Sequence, residues 1–560
     1  MTASRASVAA ALAAALLLAA GTAGAQNRPR SLVPDTAQSE APARQNAGDA
    51  DIRVDRLEAP GRASTGLLSA EESGLPADLW QGADRSLIAA LFDRMPSYYR
   101  SATARDLARR LLLSASRIPD GRISDTALLA QRLQLLLTMG EAQSVIGLAE
   151  ATGGSIADPE VAEPLAEAQF VLGETESACD TVEAMVRGGA DGYWQQASVF
   201  CDLRSNRRAD AELMRSLITE SGALDSRFRD LADAMGDGVS ATVEAGPDMR
   251  ALHLAMVKAA PSASLTRAGD LPPHLAAVVA ASPDFDPAAR IAAGEHAIAY
   301  AGLSPSLVML AYDSPGAERS NSAYRGPITS AMQNPEVTGR AEALTELWRR
   351  AGEAGERDIA AGYAAGFLDK LEPSSSLTFL APAATRMAML RGEYETAAAW
   401  GRVLRRGASG ADGESLRANT AFYPLAQVAG MEPTDGQKLG LWWSATSGEP
   451  EREARVLRVV MALDALGRPA DPALWADLLE DIDGTVPGVP DPALWRQLVM
   501  ASGAGQTGIV LQSSLALIGT GRAADMDPVT LSTVVGALRR AGLTGMARQL
   551  AVEAVIAQGD

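Results

Sequence analysis

Three tight breaks set the architecture of this 560-residue chain: Gly140, Gly173 and Asn206, each 33 residues after the last. Each break sits inside a segment of one form, as in QRLQLLLTMGEAQSVIGLAEATG, LAEAQFVLGETESACDTVEAMVR and QASVFCDLRSNRRADAELMRSLI. An apolar-periodic run is interrupted once and resumes with a second amphipathic run. Gly and Asn tolerate the left-handed backbone that ends a helix, so the breaks read as turns between antiparallel helices. Two further segments repeat the form, 381–407 broken at Gly392 and 530–557 broken at Gly542. Asp-Pro pairs at Asp158, Asp286, Asp471, Asp491 and Asp527 each precede an apolar-periodic run. The carboxylate caps free amides, and proline fits the first helical position, so all five predict helix starts. DPALWADLLE and DPALWRQLVM, 20 residues apart, are two such starts, because that period is too short for a hairpin.

A helix-turn-helix unit recurring at about 33–34 residues is the period of tetratricopeptide-type arrays. Residues 126–220, and parts of 336–560, resemble that family in period and hairpin form, although its Trp, Tyr and Pro positions are not regularly met. The resemblance implies an all-α fold of stacked antiparallel helical hairpins, an α-solenoid, with an extended concave surface for proteins or peptides. The chain also resembles uncharacterised secreted bacterial helical proteins, which adds no activity. Composition agrees with helices: aromatics are 4% and good helix formers abound. The length exceeds one compact core, which stops growing near ~250–300 residues.

The division expected along the chain begins with MTASRASVAAALAAALLLAAGTAGAQ. Arg5, the apolar run from Val8 to Ala20 and Ala23-Gly24-Ala25 read as a secretory signal cleaved after Ala25, which places the protein in the periplasm. Residues 26–73 have linker composition and read as a disordered tether. Helical hairpins are expected over 74–240 and 336–560, with an irregular, proline-rich middle over 241–335. Within the middle, YDSPGAERSNSAYRGP (312–327) reads as a long exposed loop. No segment after the signal has the ~18 consecutive apolar residues that a membrane span requires.

Cys179 and Cys201 are the only cysteines. Each lies 11 residues from Ala190, in the turn between helices expected over 174–187 and 193–203. Equal separation puts both at one height on antiparallel helices rising ~1.5 Å per residue. In an oxidising compartment such a pair forms a structural disulfide.

Candidate chemistry is sparse. His253, His274 and His296 lack metal-ligand spacing and read as solvated or capping residues, so no metal is expected. DIDG (481–484) lacks the further ligands of a calcium loop and reads as a helix-terminating turn. GAGQTG (503–508) satisfies G-x-G-x-x-G, but WRQLVMAS upstream reads as a helix, so a loop between helices is expected and no cofactor. Aromatics in helices read first as core; if one of the pairs Tyr98-Tyr99 and Trp442-Trp443 binds a ligand, the tryptophans are favoured, because adjacent side chains cannot share one helix face. A net charge of −19 repels phosphate backbones and argues against nucleic acid as partner. The expected role is a non-enzymatic scaffold for an envelope protein or peptide. The rival is a peptidoglycan-active enzyme, or its regulatory subunit, with a carboxylate pair in the irregular middle.

Overall fold

The turns signalled by glycine and asparagine are where the chain reverses. In the computed structural model Gly140, Gly173 and Asn206 have φ of 89°, 75° and 58°, and Gly392 and Gly542 have 74° and 85°. They join the helices Asp125–Thr138 to Ala142–Ala151, Pro159–Leu172 to Thr175–Arg187, Tyr193–Arg204 to Arg208–Glu220, Ala381–Leu390 to Tyr394–Ala408, and Pro528–Arg540 to Thr544–Ile556. All five Asp-Pro pairs start helices. Asp158, Asp286, Asp471, Asp491 and Asp527 accept from the amides of Glu160, Ala288, Ala473, Ala493 and Thr530 at 2.8–3.1 Å. The fold is an all-α stacking of helical hairpins, as expected.

The structure describes residues 61–153, 158–190, 192–220, 225–408, 413–447, 452–481 and 490–556. The expected signal and most of the expected tether lie outside these residues. Order starts earlier than Leu75. A 3-10 turn at Arg62–Ser64 buries Ala63, and Leu68 pairs with Ser114 beyond the Ala102–Leu113 helix. The buried Arg132 anchors this stretch, donating to the Ala63 and Thr65 carbonyls at 2.7 Å. Polar linker composition conceals such contacts, because the anchor comes from another helix.

The middle is more regular than its prolines suggest. Strands Ala241–Glu244 and Ala263–Thr266 form a two-stranded parallel pair joined through the helix Ala251–Ala259. Helices follow at Pro273–Ala281, Pro287–Ala301, Pro305–Tyr312 and Arg325–Gln333, with proline at the first helical turn of the first three. The expected exposed loop 312–327 is corrected. Tyr312, Ala317 and Tyr324 are buried, and a 3-10 turn occupies Ala317–Arg319. Tyr312 donates to Glu295 at 2.8 Å and Tyr324 donates to Glu356, so each buried phenol has a carboxylate acceptor.

The described residues, all within 59–560, form one compact unit. The largest hydrophobic core joins helices of residues 63–168 directly to those of 291–556, and the buried residues of a second core run from Ala162 to Ala297. The array therefore folds back on itself. Gly508 N–H donates to the Leu79 carbonyl at 2.9 Å, and Gln512 Nε2 donates to the Ile88 carbonyl at 2.9 Å. Arg94 pairs with Asp491 at 2.5 Å.

Candidate functional site

The return of the last helices to the first creates a cleft of about 580 Å³. Six separated stretches line it: 100–106, 298–305, 358–362, 390–393, 522–523 and 546–553. Its floor is apolar, from Ile298, Leu303, Ile359, Leu390 and Met546. One wall is the amino-terminal end of the helix Ala102–Leu113, which Ser101 caps by accepting from Ala104 N–H at 3.1 Å.

Charged groups ring this floor, and each acid already has a donor. Arg100 donates to both oxygens of Asp358 at 3.1 and 3.2 Å. Burial works against the Arg100 charge, but the Asp358 bonds and charge outweigh it and hold the guanidinium above its usual pKa. Arg105 is half-buried, and desolvation lowers its pKa although Glu553 and Asp358 oppose the shift. Its Nη1 donates to the carbonyls of Tyr99, Arg100 and Ala299 at 2.8–3.0 Å, tying the first helices to the middle. Arg391 bonds Glu393, Asp106 pairs with Arg110 at 2.8 Å, and Arg522 pairs with Asp525 at 2.7 Å. Arg522 also donates to the Gly355 carbonyl at 2.6 Å.

Glu553 closes the cleft from the last described helix. Burial raises its pKa, while hydrogen bonds from Ser101 and Thr103 and the charge of Arg105 oppose the rise. Among the described residues here, the buried Arg391 Nη1 and Glu393 Oε2 have no hydrogen-bond partner. An apolar floor ringed by paired charges suits a chain segment with an apolar anchor and polar flanks.

The residues singled out in the sequence lie elsewhere. Cys179 and Cys201 form a disulfide with Cα atoms 5.7 Å apart, linking the helices Thr175–Arg187 and Tyr193–Arg204. Trp442 and Trp443 are both buried, so they are core residues and not an exposed binding platform. The Arg452 guanidinium covers the Trp443 ring at 3.2 Å from its centroid, and Trp442 lines a separate cavity. Adjacent tryptophans do face different ways, but helices pack on both sides. Tyr99 is buried, and Tyr98 meets Tyr300 edge-on at 5.4 Å.

The histidines are less solvated than expected. His253 is buried and accepts from Arg250 N–H at 3.2 Å, which is a capping role. His274 is buried with no partner for Nδ1, and burial lowers its pKa to about 4. His296 packs against Tyr300 at 4.9 Å. No group of three or more His, Cys, Asp or Glu able to hold a metal ion occurs among the described residues. GAGQTG is an inter-helix turn, with Gly505 left-handed between the helices Pro492–Ala504 and Thr507–Ile518. Of DIDG, only Asp481, the last residue of its helix, is described.

The cleft residues themselves were not found from sequence. Ser101 carries a visible signal as a helix cap. Arg100, Arg105, Arg391 and Arg522 are indistinguishable in one dimension from the other basic residues, which number 50 in all.

No family model, curated protein or solved structure matches this chain. Its solenoid-like stacking of helical hairpins therefore stands on its own geometry. No helix among the described residues is long and apolar enough to cross a membrane.

Proposed function

We propose that this chain is an exported, non-enzymatic scaffold of the cell envelope that holds an extended segment of a partner protein or peptide in the cleft between its first and last helices. The observation that carries this reading is the pairing of Asp358 with Arg100 and of Glu393 with Arg391. Carboxylates held this way are poor proton carriers but good fixed acceptors beside an apolar floor. The reading differs from an open concave groove in one respect: the binding surface is a bounded cleft, so the bound segment is short.

A photo-crosslinking residue at Gln549 or Met546, both lining the cleft, tests it in cells. The same partner should be captured from both positions and not from the exposed Leu213. Equal capture from all three positions, or none from the cleft, overturns the proposal.

A second reading, the peptidoglycan-active enzyme or its regulatory subunit, rests on Glu295. This carboxylate of the middle region has its pKa raised by burial, as a general acid requires, with Ser322 and Tyr312 bonds opposing the rise. Under that reading purified protein releases soluble fragments from peptidoglycan, and Glu295→Gln abolishes the release.

A further inference from the structure

Four arginines line the cleft, and three of them are engaged by carboxylates. Arg100 meets Asp358, Arg391 meets Glu393 and Arg522 meets Asp525. Arg105 differs. Among the described residues it forms no ion pair, and its hydrogen bonds all run from Nη1 to the backbone carbonyls of Tyr99, Arg100 and Ala299. Carbonyl dipoles fix a guanidinium in place but carry no net charge to neutralise it. Desolvation lowers the Arg105 pKa, and Glu553 and Asp358 oppose this through their charge alone.

One edge of this guanidinium is therefore left over. Nε and Nη2 have no hydrogen-bond partner among the described residues, and the side chain is half-buried on the cleft wall. Gly302, also on that wall, faces the same edge. It ends the helix Pro287–Ala301 in the left-handed conformation, φ 66°, and a Cβ there would lie 3.3 Å from Nε and 3.8 Å from Nη2. The missing side chain leaves the edge uncovered. Ile298 and Leu303, on either side of Gly302 in the chain, belong to the apolar floor.

Two parallel N–H groups on one guanidinium edge match the two oxygens of a carboxylate. A chain terminus carries such a group on its backbone, next to its last side chain. It also suits a bounded cleft better than an internal segment does. A segment passing through needs two exits, and each further peptide group laid on an apolar floor loses water without gaining a partner.

We infer that the segment held in the cleft is a carboxy-terminal chain end, its α-carboxylate on the Nε–Nη2 edge of Arg105 and its last side chain, an apolar one, on Ile298, Leu303 and Ile359. The inference rests on the scaffold reading, since it names what the cleft of that reading holds.

Affinity selection on the full chain tests it, with three N-acetylated hexapeptide libraries of randomised sequence. One has free carboxy termini and no Asp or Glu, the second is the same library as carboxamides, and the third is carboxamides with one internal Asp or Glu. Free acids ending in Leu, Ile, Val or Phe should be retained about tenfold or more over their carboxamides, as charge-assisted hydrogen bonds imply. The retained acids should be captured by a photo-crosslinking residue at Gln549, on the cleft wall. Arg105→Lys keeps the charge but loses the two-point edge, so the acid preference should fall; Arg105→Gln should erase it. Damage to the fold weakens acids and carboxamides alike, so the ratio between them separates recognition from folding. The inference is overturned if the wild type retains acids and carboxamides equally, if internal carboxylates are retained as well as terminal ones, or if Arg105→Gln keeps the preference. Equal retention with crosslinking at Gln549 would leave the scaffold reading standing, whereas retention of no peptide would overturn both.

Discussion

Glu553 caps a helix that begins about 450 residues before it. Its Oε1 accepts from Thr103 N–H at 3.0 Å and from Thr103 Oγ1 at 2.7 Å, and its Oε2 accepts from Ser101 Oγ. The last described helix thereby satisfies the free amide end of the helix Ala102–Leu113, a role usually filled by a local side chain. Removing the carboxylate strands a buried amide and two hydroxyls. Glu553→Ala should cost about 2–4 kcal/mol in denaturant unfolding. Glu553→Gln should cost less, because the amide oxygen still accepts. Loss of only a few tenths in the alanine variant would show that the closure contributes little.

Gly508 marks a second point of closure. A Cβ placed there would lie 2.5 Å from the Trp80 ring and 2.9 Å from the Leu79 carbonyl oxygen. Gly508→Ala should therefore destabilise by about 1–3 kcal/mol. Trp80→Leu should recover part of that loss when combined with it, a coupling that a double-mutant cycle measures. Additive effects would mean that the close approach is not the cause.

The Cys179–Cys201 bond closes a loop with a sequence separation of 22. On the chain-entropy model, breaking it costs about 3 kcal/mol. Cys179→Ala with Cys201→Ala should lower the unfolding midpoint and speed amide exchange over 175–204 first. Mass spectrometry of the unreduced protein should find no alkylatable thiol.

His274 makes stability depend on pH. Burial depresses its pKa from 6.5 to about 4, so the folded state binds its proton less readily than the unfolded chain does. The stabilisation is present above pH 6.5 and is lost as pH falls through about 4. The full effect is about 3 kcal/mol at most. His274→Leu should remove this component, so the stability difference between wild type and variant should change between those two pH values and stay flat above them. A difference independent of pH would show that His274 does not titrate as described.

The sequence by itself determined every feature set within a few residues of chain. A left-handed Gly140, Gly173 or Asn206 ends a helix wherever it occurs, and Asp-Pro starts one, because helical hydrogen bonds run only four residues. The disulfide belongs to the same class, since two short helices and one turn set its geometry. Loop 312–327 was misread because its prolines and serines are local, whereas the acceptors of Tyr312 and Tyr324 are Glu295 and Glu356 on other helices.

Only the tertiary structure decided where the array ends meet and what gathers there. The partners Ser101 and Glu553, Trp80 and Gly508, or Arg100 and Asp358 lie hundreds of residues apart. Periodicity shows that a helix has an apolar face, as it does around Trp442, but not which helix covers it. Hydrophobic burial is non-directional, so any apolar face satisfies another until shape and charge across the whole assembly select one pairing.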